Sequence, residues 1–217
     1  MNILYIGLAR TIWLFDFALL NPTGMNLRGV LEEVGKRYQF AKTPKNELDF
    51  DEQHSLSFKS GAFLGQRKVP LLVHLNIYSD GIVADTTSDT DESTEFLNDV
   101  AKWLNDTYRL VVPKQRTEKY LSQIDFQMAA PLTVLNPRLG QFVKRVEGHI
   151  DTKGSLDVSS IQLWTEDFGK PGTPAPVKIE RKIPTPFSAN HYFSQAPVST
   201  KNHISLLNEF EALLGGK

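Results

Sequence analysis

Cysteine is absent from all 217 residues. That excludes disulfides, thiolate zinc sites, iron–sulfur clusters and cysteine nucleophiles together, and it fits a reducing compartment, so a cytoplasmic location is expected. A charge of one dominant sign is missing too. With 24 Lys+Arg against 25 Asp+Glu the net charge is −1, which gives no global field to draw nucleic acid or anionic lipid. The halves differ: residues 1–112 hold 11 Lys+Arg and 15 Asp+Glu, residues 113–217 hold 13 and 10. An unbroken apolar run of membrane length is also lacking. Met1 to Leu20 is apolar, but Arg10 and Asp16 interrupt it. A span needs about 20 mostly apolar residues, and charges near its middle are costly. This stretch is therefore read as a buried strand, with no membrane partner expected.

Motifs of catalysis are missing in turn. The five histidines (His54, His74, His149, His191, His203) form no H-x-H, H-E-x-x-H or H-x-x-x-H pattern. No G-x-S-x-G elbow marks a nucleophilic serine. Gly61 to Lys68 lacks the spacing of a phosphate loop. The acidic run Asp85, Asp89, Asp91, Glu92 is the best carboxylate cluster, but it lacks the spacing and glycine of a calcium loop, and acidic residues also suit a helix N-terminus. No metal site and no cofactor are expected, and the chain leans away from being an enzyme.

What is present is an order of elements written twice. A 41% hydrophobic and 23% charged composition is ordinary for a globular chain. Ile12 to Leu19 reads as a central strand ending in Asp16-Phe17, followed by Leu20-Asn21-Pro22 and a helix carrying Leu27, Val30, Leu31, Val34 and Tyr38 on one face. Leu121 to Met128 reads as a second such strand. It contains Asp125-Phe126, with Ile124, Phe126 and Met128 inward and Gln123, Asp125 and Gln127 outward. Leu135-Asn136-Pro137 then opens a helix with Leu139, Phe142, Val143, Val146 and Ile150, where Asn136 is a good N-cap and Pro137 suits the first helical position.

In the first half, alternation over Leu71 to Tyr78, the turn Ser79-Asp80-Gly81 and Ile82 to Thr86 predict a hairpin. A short strand near Arg37 to Phe40 and a polar loop over 42–54 are also expected. In the second half, strands are expected at Leu156 to Trp164, Val177 to Ile183 and Tyr192 to Val198, with a Gly/Pro loop from Phe168 to Pro176. Ser93-Thr94 and Ser199-Thr200 open the closing helices, the last of which stops at Gly215-Gly216. The fold expected is α+β: two related β-α-β-β-β-α halves, 1–112 and 113–217, with mostly antiparallel sheets covered by helices. They would be packed as one pseudo-symmetric body, with an internal duplication as its source.

Three residues stand out as site candidates. Asp16 is a carboxylate amid apolar neighbours and must be paired, hydrogen-bonded or neutralised if buried. Arg181 alternates with Val177, Ile179 and Ile183 and so shares a semi-buried face. Together they are the candidate ligand-binding pair. Trp103 is offset from the apolar face of its helix and is the candidate interface residue. The favoured function is a non-catalytic protein-interaction or assembly component of a cytoplasmic complex, with a protein partner or a homo-oligomer. The first alternative is a small-ligand protein or enzyme with a site between the halves. The second is an RNA-binding tandem ferredoxin-like protein, resting on basic clusters at Lys144-Arg145, Lys178, Arg181-Lys182 and Lys114/Arg116/Lys119. With no RNP aromatic motif, nucleic acid is the less favoured partner.

Overall fold

The computed structural model describes every residue except 45–54, 152–153, 168, 171 and 216–217. Among the described residues the elements are β1 (Asn2–Leu14), α1 (Arg28–Arg37), β2 (Leu56–Leu64), β3 (Pro70–Tyr78), β4 (Gly81–Thr86), α2 (Thr90–Tyr108), β5 (Thr117–Gln127), α3 (Pro137–Glu147), β6 (Ser160–Leu163), β7 (Val177–Arg181), β8 (His191–Ala196) and α4 (Thr200–Leu214). The order β-α-β-β-β-α thus occurs twice, and the class is α+β as expected. Hydrogen-bonded neighbours follow the order β2-β3-β4-β1-β5-β8-β7-β6. Two compact units share these elements. The N-terminal unit is Leu8–Ser122 with Val198–Thr200; the C-terminal unit is Gln123–Pro197 and Lys201–Lys217 with Met1–Gly7. Each half keeps its element order, and the units trade short segments at its ends.

In the N-terminal unit the pairs β1·β4, β2·β3 and β3·β4 are antiparallel. Val73, Leu75 and Ile77 turn inward, as the alternation predicts. Val30, Leu31 and Val34 of α1 pack onto the same core as Phe96, Leu97, Val100 and Leu104 of α2. Asp89 caps α2 by accepting from the Glu92 N–H at 2.9 Å, one of the four donors a helix start leaves unpaired. Gly81 closes the β3–β4 hairpin opposite Leu14. Its φ is +154°, and a Cβ there would sit 2.1 Å from the Trp13 carbonyl oxygen. Because both atoms that meet are held by backbone, relief requires β1 and β4 to part. Gly81→Ala is expected to cost about 1–3 kcal/mol, the usual range for a strained backbone site. Urea unfolding would read this as an earlier midpoint, and an unchanged midpoint would show that the strands separate freely there.

The C-terminal unit has antiparallel pairs β6·β7 and β7·β8. Its core gathers Ile124, Phe126, Met128, Leu132, Ile179, Tyr192, Leu207 and Leu214. α3 begins as predicted: the Asn136 side chain accepts from the Arg138 N–H at 3.0 Å, and Pro137 opens the helix. Yet α3 buries none of its residues, whereas α1 buries Val30, Leu31, Val34 and Gly35. Glu211 of α4 accepts the Ala129 N–H at 3.1 Å and pairs with the Met1 ammonium.

Several expectations are corrected. The strand read at Ile12 to Leu19 ends at Leu14, and Phe17–Leu19 forms a 3₁₀ turn. Its first residues, Asn2 to Tyr5, are exposed. Arg37 to Phe40 is no strand: α1 ends at Arg37 and Gln39 takes a left-handed φ of +51°. An isolated bridge, Lys42 to Lys59, follows. Most of the expected 42–54 loop, parts of the Phe168 to Pro176 loop and Gly216 lie outside the described residues. β6 begins at Ser160 rather than Leu156. Ser93-Thr94 lies one turn inside α2, which starts at Thr90, while α4 starts at Thr200. The matching residues are therefore the two first-turn threonines, 110 apart, and each offers its hydroxyl to the other's N–H, at 3.2 and 3.0 Å.

Candidate functional site

Each helix that closes a half turns its fourth residue onto the sheet. In α2 that residue is Ser93, fully buried, with its Oγ 2.7 Å from Thr11 Oγ1. In α4 it is His203, also buried, with Nε2 2.9 Å from Ser194 Oγ on β8. Ser194 Oγ donates to the Lys178 carbonyl on β7 at 2.9 Å. With its one proton spent, Ser194 accepts from His203, so Nε2 carries the hydrogen and Nδ1 keeps its lone pair. No group among the described residues bonds that Nδ1.

This geometry is the reverse of a nucleophilic serine–histidine pair, in which the imidazole accepts the hydroxyl proton. Burial holds His203 at a pKa of about 4, below its ordinary 6.5, so the ring is neutral at pH 7. The unfolded chain binds the extra proton between those two values. Stability is therefore full above the unfolded pKa and lost as pH falls toward the folded one. The loss expected is on the order of 2–3 kcal/mol by pH 4.5. Urea midpoints at pH 7 and 4.5 should converge in His203→Gln; an equal drop in that variant would place the acid sensitivity elsewhere.

His203 and Ser194 line a cavity of about 360 Å³. Ile161, Leu163, Val177 and Ile179 form its sheet side, and Leu206, Leu207 and Phe210 its helix side. Among the described residues, the matching place in the N-terminal unit is lined differently. Phe96, which corresponds to Leu206 in the 110-residue shift, is fully buried, with the Tyr38 and Phe63 rings at 5.0 and 5.3 Å. Leu206 is 46% exposed. In the N-terminal unit the chain leaving α1 supplies Tyr38 and Phe40 as fillers. The chain leaving α3 supplies Gly148, His149 and Ile150, all exposed.

A second polar group in the C-terminal unit is Asp125 on β5. It is expected to point outward, but it is 2% exposed. Lys182 brings its Nζ to 2.7 Å of Oδ2, and His191 Nε2 lies at 4.0 Å. Lys182 also donates to the Tyr5 hydroxyl at 3.2 Å. The hydrogen bond to Asp125 holds the Lys182 ammonium above its ordinary pKa. The lysine supplies the partner that a buried carboxylate requires.

The candidates from the sequence fall as follows. Asp16 is exposed, and its Oδ1 accepts the Ala18 N–H at 2.9 Å as the cap of the 3₁₀ turn. A turn at the surface, not a buried strand, explains this charge. Arg181 is 9% exposed and committed in four directions. It pairs with Asp157, donates to the Val158 and Phe187 carbonyls, and lies 4.7 Å from the Phe187 ring centroid and 5.2 Å from that of Tyr192. Asp16 and Arg181 belong to different units, each with partners of its own. Trp103 is half-buried at the edge of the core, 5.4 Å from both Tyr108 and the Arg37 guanidinium.

The acidic run is divided among cations. Asp85 takes a two-pronged bond from Arg10 at 2.6 and 2.8 Å, and Arg67 pairs with Asp89 and Glu92. Gln123 and Gln195 make the corresponding contact on β5 and β8, at 2.8 Å. Among the described residues no three His, Asp or Glu side chains are grouped to hold a metal ion, and no helix is long and apolar enough to cross a membrane. Several residues of the basic clusters are likewise occupied. Lys178 pairs with Glu180, Lys182 with Asp125, and Arg116 lies over the Trp13 ring.

No protein-family model matches this chain, and no curated protein matches it. A solved structure, Methanococcus jannaschii TBP, is similar over 99% of this chain and 97% of its own, with a TM-score of 0.44 and 11% identity. That degree of likeness assigns no function.

Proposed function

We propose that this chain is a non-catalytic interaction or assembly component of a cytoplasmic complex, and that α3 is its contact element. The observation that carries the reading is the uncovered apolar stripe of this helix. Phe142 is 61% exposed and Leu139 41%, and Val134 and Leu135, just before the helix, are exposed too. A capped helix with an apolar side that meets no core is normally completed by a partner. Arg138, Lys144 and Arg145 flank the stripe. An aromatic and aliphatic centre with basic residues around it is the composition of a protein interface. The serine–histidine pair, oriented against proton abstraction, adds no support for catalysis.

The test is native mass spectrometry of the tagged chain recovered from its own host, beside a Leu139→Glu/Phe142→Glu variant. Since α3 buries nothing, the variant's stability should stay within about 0.5 kcal/mol, the ordinary effect of surface substitutions. Its stoichiometric protein partner, or its self-association, should be lost. Retention of the same assembly by the folded variant would remove α3 from the interface. A wild-type chain recovered bare and monomeric would overturn the reading itself.

A further inference from the structure

We propose that the partner seated on α3 is an acidic amphipathic helix of another protein, held by Arg138 and Arg145 along one side of the apolar stripe; this rests on α3 being the contact element. The spacing comes first. Leu139, Phe142 and Val146 follow one another at three and four residues, the a and d pattern of a seam between two helices. Arg138 and Arg145 each stand one residue before an a position, seven apart and so on one side of the helix. Those are g positions, whose charges set partner choice and orientation in helix pairs. Both arginines are exposed. On the other flank Val143 is apolar and half-buried, so the open side of the stripe is the one the arginines border.

Two further observations give the charge of the occupant. Arg138 lies in the first turn of α3, which holds no acidic residue and where the helix dipole disfavours a cation. Lys144 and Arg145, in the last turn, suit the dipole; Arg138 gains nothing from it. Among the described residues neither arginine side chain meets a carboxylate. The second observation sets aside a copy of this chain. α3 holds one carboxylate, Glu147, half-buried and already accepting the Leu156 N–H at 2.7 Å. Two α3 helices laid antiparallel would oppose arginine to arginine, and laid parallel would oppose Arg138 to Val143. A row of Glu or Asp seven residues apart on a partner helix meets both arginines instead. An anionic lipid surface also attracts cations, but interfacial helices spread them over a polar face. Here the two arginines follow one flank, and the 11 residues of α3 reach only about 16 Å.

The experiment titrates the full chain with two designed helical peptides of three heptads. Both carry Leu at a and d; one has Glu at e and g, the other Lys. Binding is read by fluorescence anisotropy of the labelled peptide and by the methyl resonances of Leu139 and Val146. Expected are one-to-one binding of the Glu peptide, shifts at these methyls, and an affinity roughly tenfold above that of the Lys peptide, falling as salt rises. Arg138→Glu/Arg145→Glu, at exposed positions, should invert the preference. The proposal fails if neither peptide binds, if both bind equally, or if the folded reversal variant keeps the wild-type order. It also fails if neither peptide is preferred while the chain sediments with phosphatidylserine vesicles and the reversal variant does not, which would assign α3 to a lipid surface. Native mass spectrometry separates this proposal from the reading beneath it. An assembly lost in Leu139→Glu/Phe142→Glu but kept in Arg138→Glu/Arg145→Glu would leave α3 as the interface and overturn its acidic partner. An assembly kept in both would remove α3 itself.

Discussion

An Arg181→Met protein is expected to lose about 3–5 kcal/mol of stability, the usual result of removing one partner from a buried ion pair. The side chain holds three kinds of contact in one place. It neutralises Asp157, satisfies the carbonyls of Val158 and Phe187, and covers the Phe187 and Tyr192 rings. Methionine retains part of the stem packing and none of the donors. Asp157 would then remain only 16% exposed without its cation. An Asp157→Leu/Arg181→Met double variant should recover part of the loss, because no orphaned charge remains. Urea unfolding of the four proteins of this cycle measures both quantities. A single-variant loss under about 1 kcal/mol, the worth of an exposed pair, would show that Arg181 is not the clamp of the C-terminal unit.

In Trp13→Ala the expected loss is again about 3–5 kcal/mol, the range for emptying a core aromatic site. Trp13 is fully buried on β1, pairs with Ile82 across the sheet and has the Arg116 guanidinium 3.7 Å from its ring centroid. Alanine would leave a void and strip Arg116 of the ring it rests on. Arg116→Ala alone should cost about 1–2 kcal/mol, the range for a partly desolvated cation over an aromatic face. Chemical denaturation followed by circular dichroism distinguishes the two contributions. Equal losses in both variants would mean that the cation, and not the volume, is what Trp13 supplies.

Much of the architecture was legible locally. The hairpin of β3 and β4 declares itself by period-two alternation around Ser79-Asp80-Gly81, and α1 and α2 by apolar positions three and four apart. Misreadings arose where local pattern does not encode direction. Both halves contain an Asp-Phe pair, and the reading placed the buried carboxylate in the wrong one. Asp16 follows a strand that has already ended, and Asp125 is tolerated inside because Lys182, 57 residues later, comes to meet it. Arg181 was legible as semi-buried, but Asp157 and the backbone oxygens it engages were not.

The cavity could not be read at all. It forms between α4 and strands β6–β8, and a gap between elements leaves no motif. Ser194 and His203 each look ordinary; only the pairing of β7 with β8 and the docking of α4 make one spend its proton on a carbonyl and the other keep a lone pair.

Residues Met1–Gly7 complete a unit whose other members all follow Gln123. During synthesis these residues emerge well before the C-terminal strands they join. Val198–Thr200 has the opposite debt, since it belongs to the N-terminal unit yet follows β8 in the chain. No single cut in the chain therefore yields two whole units. A fragment ending near residue 122 would carry an orphaned leading strand, and one beginning there would lack it. Expression of the halves in isolation should give aggregation-prone products, while co-expression lets each return the segment that the other requires.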